Sequence, residues 1–242
     1  MSVKTFLSRL LRLNFFYPKW RCLSCGKEIF DGKYFCKECE DKLPYNDGAI
    51  CDHCGRKVIA PENYCTTCKN VLVSLDKCRS VFSYEPPISA LIKKGKYYNA
   101  KYVYEYFCDT LYTAYLKNYF NADYVTYVPM TLKAQKKRGY NQSKLLAQGL
   151  SERTGVRLLD CLTKVKETRR QATLGRADRL KNLDEVFRVT DKKSVKDKTL
   201  VIVDDVTTTG ATAQVIAERL KKAGALKVYL LTVASTPPID KY

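Results

Sequence analysis

The stretch Thr199 to Thr212, T-L-V-I-V-D-D-V-T-T-T-G-A-T, constrains the fold more than any other part of the chain. Leu200-Val201-Ile202-Val203 is an unbroken, largely β-branched run, the pattern of a central parallel strand covered on both faces. Asp204 and Asp205 then fall at its carboxyl end, where open α/β sheets place their ligands. Thr207, Thr208, Thr209, Gly210, Ala211 and Thr212 follow. Val215, Ile216 and Leu220 then recur at helical spacing, up to a stop at Lys221, Lys222 and Gly224. A hydroxyl-rich, glycine-containing turn that opens a helix offers an anion free backbone N–H groups and the helix dipole. Carboxylates beside such a cradle suit a sugar phosphate: aspartate oxygens accept from vicinal ribose hydroxyls while the turn holds the 5′-phosphate. The apolar run and aspartate pair also resemble a Walker B strand, but no Walker A loop accompanies them, which argues against a P-loop ATPase.

Cysteine divides the chain. Eight of the eleven cysteines form four C-x-x-C pairs before residue 70, which predicts a module over residues 1–75 and a second domain over 76–242. Cys22 and Cys25 are followed after ten residues by Cys36 and Cys39; Cys51, Cys54, Cys65 and Cys68 repeat the pattern at an offset of 29. Gly26 and Gly55 follow the first pair of each half and let the chain turn round a metal. Four thiolates at tetrahedral geometry suit Zn2+, so the repeat predicts structural zinc, two ions if each half is filled. Spacing leaves open whether each repeat closes its own site or the pairs interleave, and a single occupied site also satisfies it. A thioredoxin-like redox pair does not explain four C-x-x-C units. His53 is the only histidine, so histidine-based triads are excluded elsewhere. Cys78, Cys108 and Cys161 read as small buried hydrophobes.

Lys and Arg number 43 against 25 Asp and Glu, a formal charge of +18 that makes polyanions natural partners. Two four-cysteine zinc sites would lower it by about two each, to roughly +14. No stretch reaches the apolar length of a membrane span. Residues 1–17 mix Lys4, Arg9 and Arg12 with leucine and phenylalanine, the pattern of an amphipathic helix that docks on the protein itself or on a membrane surface, not of a secretory signal. Paired cysteines without such a signal predict a cytoplasmic protein, which that helix could place at the inner face of the membrane.

In the second domain Ser80–Tyr84 alternates like a strand, Ile88–Phe120 carries two helices rich in tyrosine, and Tyr124–Val128 reads as another strand. Lys93-Lys94-Gly95-Lys96-Tyr97-Tyr98 sets cations beside aromatic rings, a combination that can bind phosphate and stack bases, although tyrosines at helical spacing more often belong to a core. A final strand, Val228–Val233, completes an α/β fold with a parallel sheet of about five strands flanked by helices.

Thr199–Thr212 closely resembles the diphosphosugar signature of type I phosphoribosyltransferases, whose ligand is phosphoribosyl pyrophosphate. Arg138-Gly139-Tyr140-Asn141-Gln142-Ser143 after the Val128-Pro129 turn resembles the ComF family of bacterial competence proteins. So does the set Gln171, Leu174, Arg179, Asn182 and Phe187. With the cysteine module the resemblance spans nearly the whole chain. It implies that Asp204 and Asp205 orient the ribose and that Pro129, Met130, Thr131, Leu132 and Lys133 hold pyrophosphate. Arg170 and Arg176 would belong to a loop closing over the Mg2+-bound diphosphate. It further implies a role in DNA uptake and transformation, with single-stranded DNA and a helicase-like protein as partners. A salvage phosphoribosyltransferase with an unidentified acceptor is the alternative.

Overall fold

The computed structural model describes residues 20–52, 55, 58, 64, 65, 68, 74–118, 120–166 and 186–237. Residues 1–17 and His53 lie outside these, as do Cys54, Arg170, Gln171, Leu174, Arg176, Arg179 and Asn182.

Five parallel strands form one sheet in the order β1 (Lys77–Ser83), β7 (Lys227–Ser235), β6 (Thr199–Thr207), β2 (Tyr124–Tyr127) and β3 (Arg157–Leu158). Between them run α2 (Ile88–Tyr97), α3 (Val103–Lys117), α4 (Leu132–Arg138), α5 (Gln142–Thr154), α6 (Lys192–Val195) and α7 (Ala211–Lys222). A separate antiparallel ribbon pairs β4 (Leu162–Lys164) with β5 (Phe187–Val189). The sheet and its flanking helices agree with the expected architecture.

Strand β6 is central because both faces of its apolar run are used. Val201 and Val203 join Leu231, Val233 and the buried faces of α3 and α5 in one cluster. Leu200 and Ile202 join Leu230, Ile216 and Leu220 in another, on the α7 side. Successive side chains of a strand point to opposite faces, so an unbroken apolar run needs a cover on each side, and here it has one.

Two glycines set how closely the helical layer can pack. A Cβ at Gly149 on α5 would run into Sγ of Cys108 on α3, and one at Gly95 on α2 would meet the Tyr104 hydroxyl of α3 at 2.7 Å. Tyr140, just before α5, donates from its hydroxyl to the Gly95 carbonyl. These approaches bring the carboxyl end of α2 over the end of the sheet.

The cysteine-rich segment, which includes the short helix α1 (Lys37–Glu40), is fused to this body. Leu23, Ile29, Phe35 and Leu43 belong to the same buried cluster as Phe82 and Leu111. Phe35 meets the Tyr106 ring edge-on at 5.0 Å, and Tyr34 donates to Asp109 Oδ2 at 3.0 Å. Asn46 bonds the Ser80 and Phe82 carbonyls along the outer edge of β1 and Ser235 Oγ at the end of β7. A sheet edge that would otherwise offer unpaired backbone groups is thereby covered. Among the described residues no helix is long and apolar enough to cross a membrane.

Candidate sugar-phosphate site and metal centres

Strand β6 runs two residues past its apolar core, and the pleat sends its two aspartates opposite ways. Asp204 keeps the parity of Leu200 and Ile202 and borders the recess at the start of α7. Asp205 keeps that of Val201 and Val203, is 3% exposed, and faces the helical layer.

There its Oδ2 meets the ammonium of Lys96, from the last turn of α2, at 2.7 Å. Burial opposes the charge on Lys96, but the Asp205 carboxylate outweighs it and holds the ammonium above its ordinary range. Ser143, in the first turn of α5, donates from Oγ to Asp204 Oδ1 at 2.6 Å, and the Asp205 backbone N–H donates to the same oxygen at 2.9 Å. Burial and the adjacent Asp205 charge nevertheless push the Asp204 carboxyl up to about 7.

The recess next to Asp204 has a volume of about 60 Å3 and is walled by Thr207 through Ala213. Gly210 is the N-cap of α7 at φ 74, a left-handed conformation that a side chain disfavours; it has no side chain to cap the helix, and the Ala211 N–H is met by Thr209 Oγ1 at 3.4 Å. Gln214 is the first residue to donate back along the helix, to the Gly210 carbonyl. A helix start on a glycine N-cap, with hydroxyls of Thr208 and Thr209 around it, has the geometry to cradle an anion. All six predicted turn residues, Thr207 to Thr212, line it together with Asp204.

A larger cleft of about 520 Å3 opens alongside, lined by both aspartates, Lys96, Arg138, Ser143, Lys164 and the turn Val128–Thr131. Of the turn predicted to hold pyrophosphate, Pro129, Met130 and Thr131 line the cleft. Leu132 and Lys133 instead open α4 and face solvent, Leu132 being 79% exposed. Thr131 caps that helix, its hydroxyl accepting from the Ala134 N–H at 3.2 Å. The helix itself was not foreseen; the threonine cap and the left-handed Gly139 at its end were its local signals.

Arg138 and Ser143, which the sequence places only within the Arg138–Ser143 motif, belong to the site itself. Arg138 stands in the cleft wall, where it donates to Gln142 Oε1 at 2.6 Å. Lys96, expected within the run of cations beside aromatic rings at 93–98, points inward to Asp205. Ribbon β4–β5 pairs Lys164 with Phe187, both in the cleft wall.

The two cysteine repeats each gather their own thiols. Cys22, Cys25, Cys36 and Cys39 have sulfurs within 4.8 Å of one another, as do Cys51, Cys65 and Cys68, while Cys54 lies outside the described residues. The pairs are not interleaved. In both halves the glycine after the first C-x-x-C is left-handed, and its N–H donates to the carbonyl of the first cysteine at 2.9 Å. Burial opposes a thiolate at Cys22, yet backbone N–H groups of Cys25, Cys36 and Ser24 bring its pKa down to about 6. Burial, with the neighbouring thiols, pushes Cys39 up to about 12. A set of four cysteine sulfurs gathered this closely fits structural Zn2+, which would hold them as thiolates.

The family model described as a double zinc ribbon domain matches residues 12–69, and the phosphoribosyl transferase domain model matches residues 127–239. Fold, thiol clusters and the two matched family models together define a protein with a phosphoribosyltransferase domain and an N-terminal double zinc ribbon that holds structural zinc. The chain belongs to the ComF family of competence proteins. Competence protein F of Haemophilus influenzae is 30% identical over 236 residues, covering 92% of this chain and 99% of that one. DNA utilization protein YhgH of Escherichia coli K12 is 28% identical over 227 residues, covering 89% and 96%. Competence protein ComFC of Bacillus subtilis is 27% identical over 215 residues, covering 85% and 84%.

Proposed function

We propose that this protein binds phosphoribosyl pyrophosphate and acts on single-stranded DNA in the cytoplasm during natural transformation. The observation that carries the first part is that Asp204 and the glycine-capped start of α7 border one small recess. A ribose 5-phosphate placed there has its phosphate on backbone N–H groups and its hydroxyls beside a carboxylate. Mg2+ enters as part of the ligand, bound to the diphosphate. Lys96 and Arg138 supply positive charge in the adjoining cleft, beside the Val128–Thr131 turn, for the pyrophosphate end. The arginines at 170 and 176 would add to it on closure. The names of the relatives support the DNA role, and the net charge of +18 agrees with it. A helicase-like partner is proposed on the family resemblance alone.

Calorimetry with Mg2+ and phosphoribosyl pyrophosphate tests the site. Binding should be lost in the Asp204→Asn, Asp205→Asn double variant and strongly weakened by Asp204→Asn alone, which spares the buried Lys96 pair. Unchanged heat in both variants overturns the reading. Elemental analysis should find two zinc ions per chain.

The salvage alternative is kept by one observation: the cleft extends well beyond the phosphate recess. Pyrophosphate release on addition of a free base would favour it.

A further inference from the structure

Helix α2 ends with two faces of opposite use. Ile88, Leu91, Ile92 and Gly95 are buried, and Lys96 turns inward to Asp205. Tyr97 and Tyr98 turn outward, 63% and 78% exposed. That exposure is unusual for this part of the chain, where Tyr104, Tyr106, Tyr115, Tyr127 and Tyr140 are all buried. Core packing accounts for those five but not for the exposed pair at 97 and 98.

The charges around the pair are of one sign. Lys93 and Lys94 are exposed on the preceding turn, and Lys136 and Lys137 on α4. The Arg138 guanidinium lies over the Tyr97 ring, 5.8 Å from its centre, so the ends of α2 and α4 form one continuous surface. Residues 86–104 and 124–151, which supply both helices, contain no Asp or Glu. Among the described residues, none of Lys93, Lys94, Lys136 and Lys137 forms an ion pair. Arg138 also lines the cleft, so this surface begins at the cleft mouth.

We propose that the outer edge formed by the end of α2 and helix α4 is where single-stranded nucleic acid lies, its bases stacked on Tyr97 and Tyr98 and its phosphates held by the flanking lysines. The inference rests on the DNA-binding reading above and gives it a location. Flat rings presented edge to edge with uncompensated cations match a strand whose base faces are free. A duplex hides those faces, so it could use only the charges.

The test is fluorescence anisotropy of full-length, zinc-loaded protein with a labelled oligothymidylate, across a salt series. Three variants are compared with the wild type: Tyr97→Ala with Tyr98→Ala, Tyr97→Phe with Tyr98→Phe, and Lys136→Ala with Lys137→Ala. All four positions are exposed, and thermal melts confirm that the variants remain folded. The alanine pair at 97 and 98 should weaken binding about 30-fold or more with the salt slope kept, and the phenylalanine pair should retain affinity. The lysine variant should lower the slope of log affinity against log salt by about 1.4, from about 0.7 for each released counterion on a single strand.

Wild-type protein that fails to bind even at low salt would overturn the DNA reading as a whole. Wild-type binding that neither alanine variant alters would leave that reading standing and overturn the location. Equal affinity for a duplex of the same length, or loss of binding to anionic phosphatidylserine vesicles in parallel with loss of DNA binding, would also overturn the proposal.

Discussion

Two walls of the cleft reach the same ligand space by different routes. The sheet wall is continuous in sequence: Asp204, Asp205 and Thr207 to Thr212 follow one another off the end of β6. The helical wall is assembled from Lys96 on α2, Arg138 on α4 and Ser143 on α5, none adjacent to another in the chain. The first wall depends on strand pleat and a helix start, which are local. The second depends on how closely α2, α3 and α5 pack, which Gly95 and Gly149 permit. Damage to the sheet wall should remove ligand binding with modest loss of stability, and damage to the helical wall should weaken binding while costing more stability, most of all at the buried Lys96.

The largest effect is expected at Lys96. In Lys96→Met a buried carboxylate loses its cation, and removing one partner of a buried pair costs about 3–5 kcal/mol. Urea unfolding should show this loss, and Lys96→Met with Asp205→Asn should recover most of it. If the double variant is no more stable than the single one, the pair does not hold the walls together.

The pH dependence comes next. The Asp204 pKa is raised from 3.8 to about 7, so the folded state binds a proton more tightly than the unfolded chain between those values. Stability from this group is therefore present at acid pH and lost as pH climbs from about 4 through 7, by on the order of 1–4 kcal/mol. Ligand affinity should run the other way, rising through pH 7 as the carboxylate forms to accept ribose hydroxyls. Asp204→Asn should flatten both profiles; a stability slope that survives the substitution belongs to other groups.

Gly149→Ala drives a methyl into Cys108 and should cost about 1–3 kcal/mol by overpacking. Cys108→Ala in the same chain should relieve it, which thermal unfolding would show. A Gly149→Ala protein as stable as the wild type would mean that α3 and α5 can separate freely.

The smallest effect is expected at Ser143, which bridges the two walls. Ser143→Ala removes a hydrogen bond to Asp204 and should cost about 1 kcal/mol in stability. The midpoint of the ligand pH profile should move to higher pH, because that bond favours the ionised carboxyl. An unmoved midpoint would show that Ser143 does not tune Asp204.

Much of the sheet wall was legible in advance because its information is local. An unbroken apolar run needs two covers, and β6 has them in the α3–α5 layer and in α7. The spacing of the cysteines likewise announced two sets of four, and the fold resolved the question of interleaving by gathering the thiols of each repeat separately. The helical wall was harder to read. Lys96 sits four residues after Ile92 and eight after Ile88, on the buried side of α2, so helical periodicity did carry a signal for its inward direction. Its position between two other lysines and two tyrosines disguised that signal as part of a surface patch. Leu132 and Lys133 misled in the opposite sense, because a turn expected to stay irregular becomes a capped helix after Thr131.

By itself, then, the sequence determined the strand, the hydroxyl-rich turn after it, the paired carboxylates and the two cysteine clusters, since each follows from short-range periodicity or spacing. Only the tertiary structure decided that the two carboxylates part company. Asp205 is spent on Lys96, and Asp204, steadied by Ser143, is left at the recess. The pleat sends neighbouring residues to opposite faces of a sheet, but what waits on each face is set by the crossover helices and by how near their glycines let them come.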